Sequence, residues 1–296
     1  MGHLPTTMAS TQSLTDFHQL FISYLQAQHR SSHTILAYGK DIAQLLAHLA
    51  KSQKHSPQSV TPEDIIAFKD SFNQNYTPKS ISRKLNSIKA FFRFLKDQKA
   101  IITNPAAAVS GPTLDPSQPR ILTQLEYRAL RDAARTDNRM AGIVELLLQT
   151  GIRIGELGNL ALDDINKDKT EIIIKPYESR LSRQVPLNGS AKKALTAYLK
   201  DRPRSRDKTV FITKTGHPFL VRNIRSAINR LFKMAGIPKA TVNDLRHTFI
   251  AQQLTAGTPL HYVTQIVGHK RLTTTEQYLK YITPGSTRPD NKLEEL

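Results

Sequence analysis

The sequence predicts a mainly α protein of two domains, with a small β-hairpin or three-stranded sheet confined to the second. Three observations carry this. Apolar residues recur at helical spacing through 15–99, prolines gather at 103–120 without apolar periodicity, and β-branched runs are limited to short segments between 171 and 213. A chain of 296 residues with 39% hydrophobic residues is long enough to bury more than one core.

The first domain is assigned to residues 13–102. Phe17, Phe21, Tyr24 and Leu25, then Ile35, Ile42, Leu45, Leu46 and Leu49, fall on helical faces. Thr61-Pro62 and Thr77-Pro78 each set a capping hydroxyl before a proline at the first helical position, where the missing N–H costs nothing. The helix from Pro78 turns Ile81, Leu85, Ile88, Phe92 and Leu95 inward and leaves Lys79, Arg83, Lys84, Lys89, Arg93 and Lys96 for its outer faces, which predicts a basic ridge. Pro105, Gly111, Pro112, Pro116 and Pro119 make 103–120 an extended linker. Beyond it, Thr123 and Glu126 form a capping box for a helix expected to run to Thr150 and stop at Gly151. Glu171–Lys175 and Arg183–Leu187 read as a hairpin and Thr209–Thr213 as a third strand. Helices are then expected over Leu220–Ala235, Asp244–Ala256, Pro259–Val267 and Thr274–Tyr281. An amphipathic tail follows at 284–296, with Leu293 and Leu296 on one edge.

The chain carries 42 Lys+Arg against 24 Asp+Glu, a formal charge of +18. Lys200–Arg246 alone holds 12 basic and 3 acidic residues, half of that surplus. Such a concentration points to a polyanionic partner, nucleic acid before membrane. No apolar run approaches the roughly 18 to 20 residues that cross a bilayer, so a cytoplasmic, nucleoid-associated protein is expected. Absence of cysteine removes thiol nucleophiles, disulfides and Cys-ligated zinc. Gly151-Ile152-Arg153-Ile154-Gly155-Glu156 is neither a Walker loop nor GxGxxG, and the histidines do not fall in HExxH spacing, so neither a nucleotide cofactor nor a metal is expected.

Attack on a phosphodiester without metal needs guanidinium groups for the phosphate oxygens, an oxygen nucleophile and proton donors. Three segments supply them: Thr150-Gly151-Ile152-Arg153-Ile154-Gly155-Glu156-Leu157, Asn243-Asp244-Leu245-Arg246-His247-Thr248-Phe249, and Val267-Gly268-His269-Lys270 through Thr273-Thr274-Thr275-Glu276-Gln277-Tyr278. His269 follows Arg246 by 23 residues and Tyr278 follows His269 by nine.

These segments resemble the three signature boxes of the tyrosine recombinases, the phage integrase family, and the layout over about 13–283 is similar to its Xer-type branch. The resemblance implies a two-domain DNA clamp: a SAM-like core-DNA-binding domain at 13–102, a catalytic domain at 121–283, and a tail at 284–296 for contact between protomers. It implies a site-specific recombinase that cleaves duplex DNA through a 3′-phosphotyrosyl intermediate, with Arg153 and Arg246 clamping the phosphate, His269 donating to it and Tyr278 attacking. Glu156, Asp244 and His247 are assigned to support. Two positions depart from the family pattern. Asn243 stands in the catalytic set where the family has a histidine, able to hydrogen-bond the phosphate or Tyr278 but not to accept and return a proton near neutral pH, and the hairpin lacks the family's lysine motif, leaving Lys175 as the general acid for the departing oxygen in preference to Arg180 or Arg183, since guanidinium gives up its proton poorly. The implied partners are a double-stranded recombination site and a homo-tetramer, or a hetero-tetramer with a related recombinase, on two sites. A type IB topoisomerase and a cleavage-deficient DNA-binding protein remain as alternatives.

Overall fold

The structure, a computed structural model, describes residues 12–72, 76–114, 118–176, 181–283, 285 and 293–296. The chain divides into two compact units, residues 1–116 and 117–296.

The first unit is built from α1 (Leu14–Ala27), α2 (Ser32–Lys51), α3 (Pro62–Asp70) and α4 (Pro78–Asp97). Their starts follow the local chemistry. Ser13 and Asp16 close a capping box on α1, Asp64 accepts from the Thr61 backbone at 2.8 Å, and the Thr77 hydroxyl accepts from Ser80 N. Phe17, Phe21, Ile42, Leu45, Leu85, Ile88, Phe91 and Leu95 fill the core between them.

The basic ridge on α4 is smaller than expected. Lys84 is buried, its Nζ 3.0 Å from Asp41 Oδ1 on α2 and hydrogen-bonded to Gln44, while Arg83 donates to both Asp41 oxygens and Ser87 adds a third donor. A buried carboxylate must be paired to be tolerated, and Asp41 lies too far away in sequence for helical periodicity to reveal its partners. Arg93 and Lys96 keep exposed outer positions on this helix.

Among the described residues the second unit holds eight further α-helices: α5 (Gln124–Ala134), α6 (Asn138–Thr150), α7 (Ile154–Gly158), α8 (Gly189–Asp201), α9 (Val221–Met234), α10 (Val242–Thr255), α11 (Leu260–Val267) and α12 (Leu272–Glu276), the last running into a 3-10 turn, Gln277–Tyr281. Strands β1 (Glu171–Ile174) and β2 (Arg183–Pro186) pair antiparallel with Ile172 opposite Val185. Ile172, Ile174 and Val185 are buried, so the hairpin's inner face joins a core that includes Leu147, Leu148, Phe211, Phe249, Ile250 and Ile266.

Two expectations need correction here, and one helix is an addition. The helix expected from Thr123 to Thr150 is two helices, because Asp137 caps a new start by accepting from Arg139 N at 2.9 Å and Met140 N at 3.2 Å. Thr209–Thr213 is not a third strand: the described residues form a two-stranded sheet, and this run makes only isolated bridges, Ala161 to Thr209 and Ile212 to Pro218. Its backbone is satisfied elsewhere. Val210 N donates to Leu160 O, and the Tyr198 hydroxyl on α8 donates to Val210 O and accepts from Ile212 N, each at about 3 Å. Helix α8, capped by Asn188, was not foreseen.

Residues 293–296 lie on the second unit of their own chain. Leu296 O accepts from Arg131 at 2.6 Å and Gln149 at 3.0 Å, Gln253 pairs with the Glu294 backbone in both directions, and Leu293 and Leu296 pack against the core. Arg180, Pro116 and tail residues 286–292 lie outside the described residues. Among the described residues, no helix is long and apolar enough to cross a membrane.

Candidate active site

Four backbone segments meet where α6, α7, α10 and α11 end or begin. Helix α6 stops at Gly151 in the left-handed conformation, φ +59°, where a Cβ would lie 2.3 Å from the Phe249 ring, so glycine is demanded twice over. Two residues on, Arg153 caps α7, and Glu156 reaches back to its backbone N–H at 2.9 Å. Helix α11 ends at Gly268, φ +64°, with the Arg183 guanidinium packed 3.0 Å from where a Cβ would stand.

These turns present carbonyls to the arginines. Arg246 on α10 donates to Gly151 O at 2.5 Å and Val267 O at 2.8 Å; Arg153 donates to Val267 O and Gly268 O, both at 3.1 Å. The two guanidinium groups therefore share one carbonyl and are brought together by it. Beneath them lies Glu156, its side chain fully buried, receiving Arg183 at 3.0 and 2.7 Å and Arg153 at 3.1 Å. Burial, with Arg153 next to it, pushes Arg246 down to about 9, which leaves it cationic at neutral pH.

His269 follows Gly268, with Nδ1 2.8 Å from Thr275 Oγ1, and that hydroxyl also accepts from Thr264 at 2.7 Å. Nδ1 is thus engaged by the Thr275 hydroxyl, and in the tautomer with the proton on Nε2 the ring can donate to a phosphate oxygen. Burial first, then Arg246 and Arg153, push His269 down to about 3. Tyr278, on the 3-10 turn, is 7% exposed, and its hydroxyl lies 2.6 Å from His247 Nδ1. Burial raises this phenol, while the charges of Arg246 and Arg153 pull the other way.

The expected residues do not all converge. Arg153, Arg246 and His269 are tied together through the α11 terminus, and Tyr278 lies within electrostatic reach of both arginines. Asn243 is exposed at the start of α10, lining a groove of about 980 Å³ with Arg225, Lys233 and Lys239. Lys175 stands at the end of β1, 63% exposed, with Nζ 2.6 Å from buried Asp164. Arg183 is committed to Glu156 and to Ile266 O. The sequence places His247 and Glu156 in supporting roles, orienting the arginines or bracing the fold; it does not show the contact of His247 with Tyr278 or the pairing of Glu156 with Arg183.

Two fixed cations, two imidazoles and a phenol thus lie together on a helical scaffold, a set able to serve phosphoryl transfer. Residues 120–282 match the phage integrase family and 19–99 match the N-terminal SAM-like domain of phage integrases. The chain is 30% identical over 273 residues to tyrosine recombinase XerC of Anoxybacillus flavithermus, covering 88% of this chain and 91% of that one. It is similar to the crystal structure of XerA recombinase, with 28% identity, a TM-score of 0.51 and coverage of 89% and 92%. The fold is also that of the Tn1549 transposon integrase solved with transposon right end DNA, at 20% identity and a TM-score of 0.77, covering 90% of this chain and 94% of that one. The chain belongs to the phage integrase family, as an Xer-type tyrosine recombinase, an enzyme that cleaves and rejoins DNA in site-specific recombination.

Proposed function

We propose that Tyr278 is the nucleophile of this recombinase and that Arg153, Arg246 and His269 form its phosphate pocket. The observation that carries the reading is the shared Val267 carbonyl, which holds both guanidinium groups beside a neutral His269 and within reach of the phenol. The arginines neutralise the non-bridging oxygens and His269 donates from Nε2. Tyr278 Oη bonds to phosphorus, the bond to O5′ breaks, and the departing strand becomes a 5′-hydroxyl. The energy of the broken phosphodiester stays in the new link, so rejoining needs no nucleotide. In this reading Lys175 gives the proton to O5′, exchanging Asp164 for the strand. A nicked suicide duplex lets the short 5′ strand diffuse away; wild-type protein is expected to accumulate covalently on the 3′ side of the break with neither metal nor nucleotide added, and no adduct would sink the assignment.

The natural substrate in this proposal is a pair of duplex sites in the bacterial nucleoid, bound by four protomers. Arg222, Arg225, Arg230 and Lys233 on the exposed face of α9 supply phosphate contacts. With six to ten such contacts, affinity is expected to fall by roughly 10³ to 10⁵ between 50 and 200 mM salt; a flat titration over that range would count against it.

Assembly in this reading uses the tail. Leu293 and Leu296 occupy a surface formed by Arg131, Gln149 and Gln253, and the same surface of a neighbour offers them identical partners. Ending the chain before Thr283 is expected to reduce cooperative gel-shift assembly more than it lowers the monomer's melting temperature. Unchanged cooperativity would refute the exchange.

A further inference from the structure

We propose that His247, and not Asn243, accepts the proton of Tyr278 when the phenol attacks DNA. The inference rests on the reading of Tyr278 as nucleophile and adds the group that activates it.

His247 Nδ1 stands 2.6 Å from Tyr278 Oη, within the distance that direct proton transfer requires, with the ring centroids 5.8 Å apart. Both residues are held from behind. Helix α10 carries His247 beside Arg246, whose guanidinium is fixed by two carbonyls, and Tyr278 is buried on the turn that follows Thr275. Asn243 lies one helical turn earlier, exposed in the α9–α10 groove, and its amide has no basic lone pair at neutral pH.

The protonation states suit the role. Burial keeps the His247 imidazole below its ordinary value; Asp244 opposes this and Arg246 reinforces it. At neutral pH the ring is uncharged. Tyr278, raised by burial, is a phenol, and in the proposed role its O–H donates to Nδ1 while the histidine proton sits on Nε2. As Oη donates an electron pair to phosphorus, its proton passes to Nδ1, and O5′ leaves and is protonated. In the reverse step a 5′-hydroxyl attacks the phosphotyrosine, and His247 returns its proton to the departing Oη. Other ionisable groups facing this imidazole are Asp244 and Arg246 from α10 and His269 from the end of α11. His269 titrates near 3 and Tyr278 above 10, so neither creates a limb between them.

The test is single-turnover adduct formation on a nicked suicide duplex with protein in excess. His247→Gln is expected to slow it by roughly 10² to 10⁴, by more than Asn243→Ala does, with the dissociation constant for duplex DNA unchanged. The pH profile separates proton transfer from mere anchoring. The wild-type rate should climb as pH rises through the lowered imidazole value, below 6.5, and level off by neutrality, and that limb should be absent in His247→Gln. A rate within tenfold of wild type, or a limb that persists in the variant, overturns the proposal. Should His247→Gln fail to bind DNA, the wild-type profile decides, because a rate that stays flat from neutrality down to the onset of acid unfolding counts against an imidazole base at this position. Tyr278→Phe run alongside distinguishes the two readings: an adduct surviving there removes Tyr278 itself, whereas loss there with retention in His247→Gln removes only the present inference.

Discussion

Tyr278→Phe is expected to bind duplex DNA as the wild type does and to form no covalent adduct on a suicide substrate. The ring fills a site only 7% exposed, and the phenyl of Phe occupies the same volume, so packing is conserved. What is lost is one hydroxyl and its bond to His247, about 0.5 to 1.5 kcal/mol of net stability. Arg153, Arg246 and His269 are positioned by carbonyls and by Thr275, none of which involves Tyr278, so the proposed phosphate pocket should keep its arrangement. Chemistry, by contrast, loses the atom proposed to attack phosphorus. Denaturing gels of end-labelled strands should show an adduct for wild type and none for the variant, with gel shifts equal for both. An adduct in Tyr278→Phe, or a labelled peptide mapping to Tyr281 or Tyr262, would place the nucleophile elsewhere.

What was legible in the sequence was local. Thr61, Thr77 and Thr123 announce helix starts through bonds that span three residues, and Gly151 announces a stop through a backbone conformation of its own. The arginines, His269 and Tyr278 were visible because short boxes carry them. What escaped depends on partners distant in the chain. Lys84 has the helical address of a surface residue and is buried by Asp41. Val210-Phe211-Ile212 has the composition of a strand and is satisfied by a tyrosine hydroxyl on a neighbouring helix. His247 looks like a bystander beside Arg246 until the turn at 277–281 brings a phenol to it. Glu156 is partly similar: assigned to support from the sequence, it pairs in three dimensions with Arg153 and with Arg183, a residue from the distant hairpin.

That double pairing makes Glu156→Gln the stability change with the largest expected effect in the second unit. Burial alone would raise the carboxyl, but hydrogen bonds from Arg183 and from the Arg153 backbone, with the charges of both arginines, bring it from 4.5 to about 2. The folded value lies below the unfolded one, so the carboxylate contributes stability that is fully present above about pH 4.5 and is lost as pH falls through about 2. At roughly 1.4 kcal/mol per unit the contribution is about 3 kcal/mol. Removing the charge also leaves Arg183, 7% exposed, without its carboxylate, and breaking such buried pairs typically costs about 3 to 5 kcal/mol. At neutral pH the second unit of Glu156→Gln should therefore melt roughly 6 to 20 °C below wild type. The gap should narrow as pH is lowered from 4.5 towards 2, because the wild type then protonates the same group. Activity should fall further than the melting shift explains, since Arg153 loses the bond that orients its guanidinium towards the α11 carbonyls. A variant that melts within about 2 °C of wild type at neutral pH would mean that the backbone carbonyls alone hold both arginines in place.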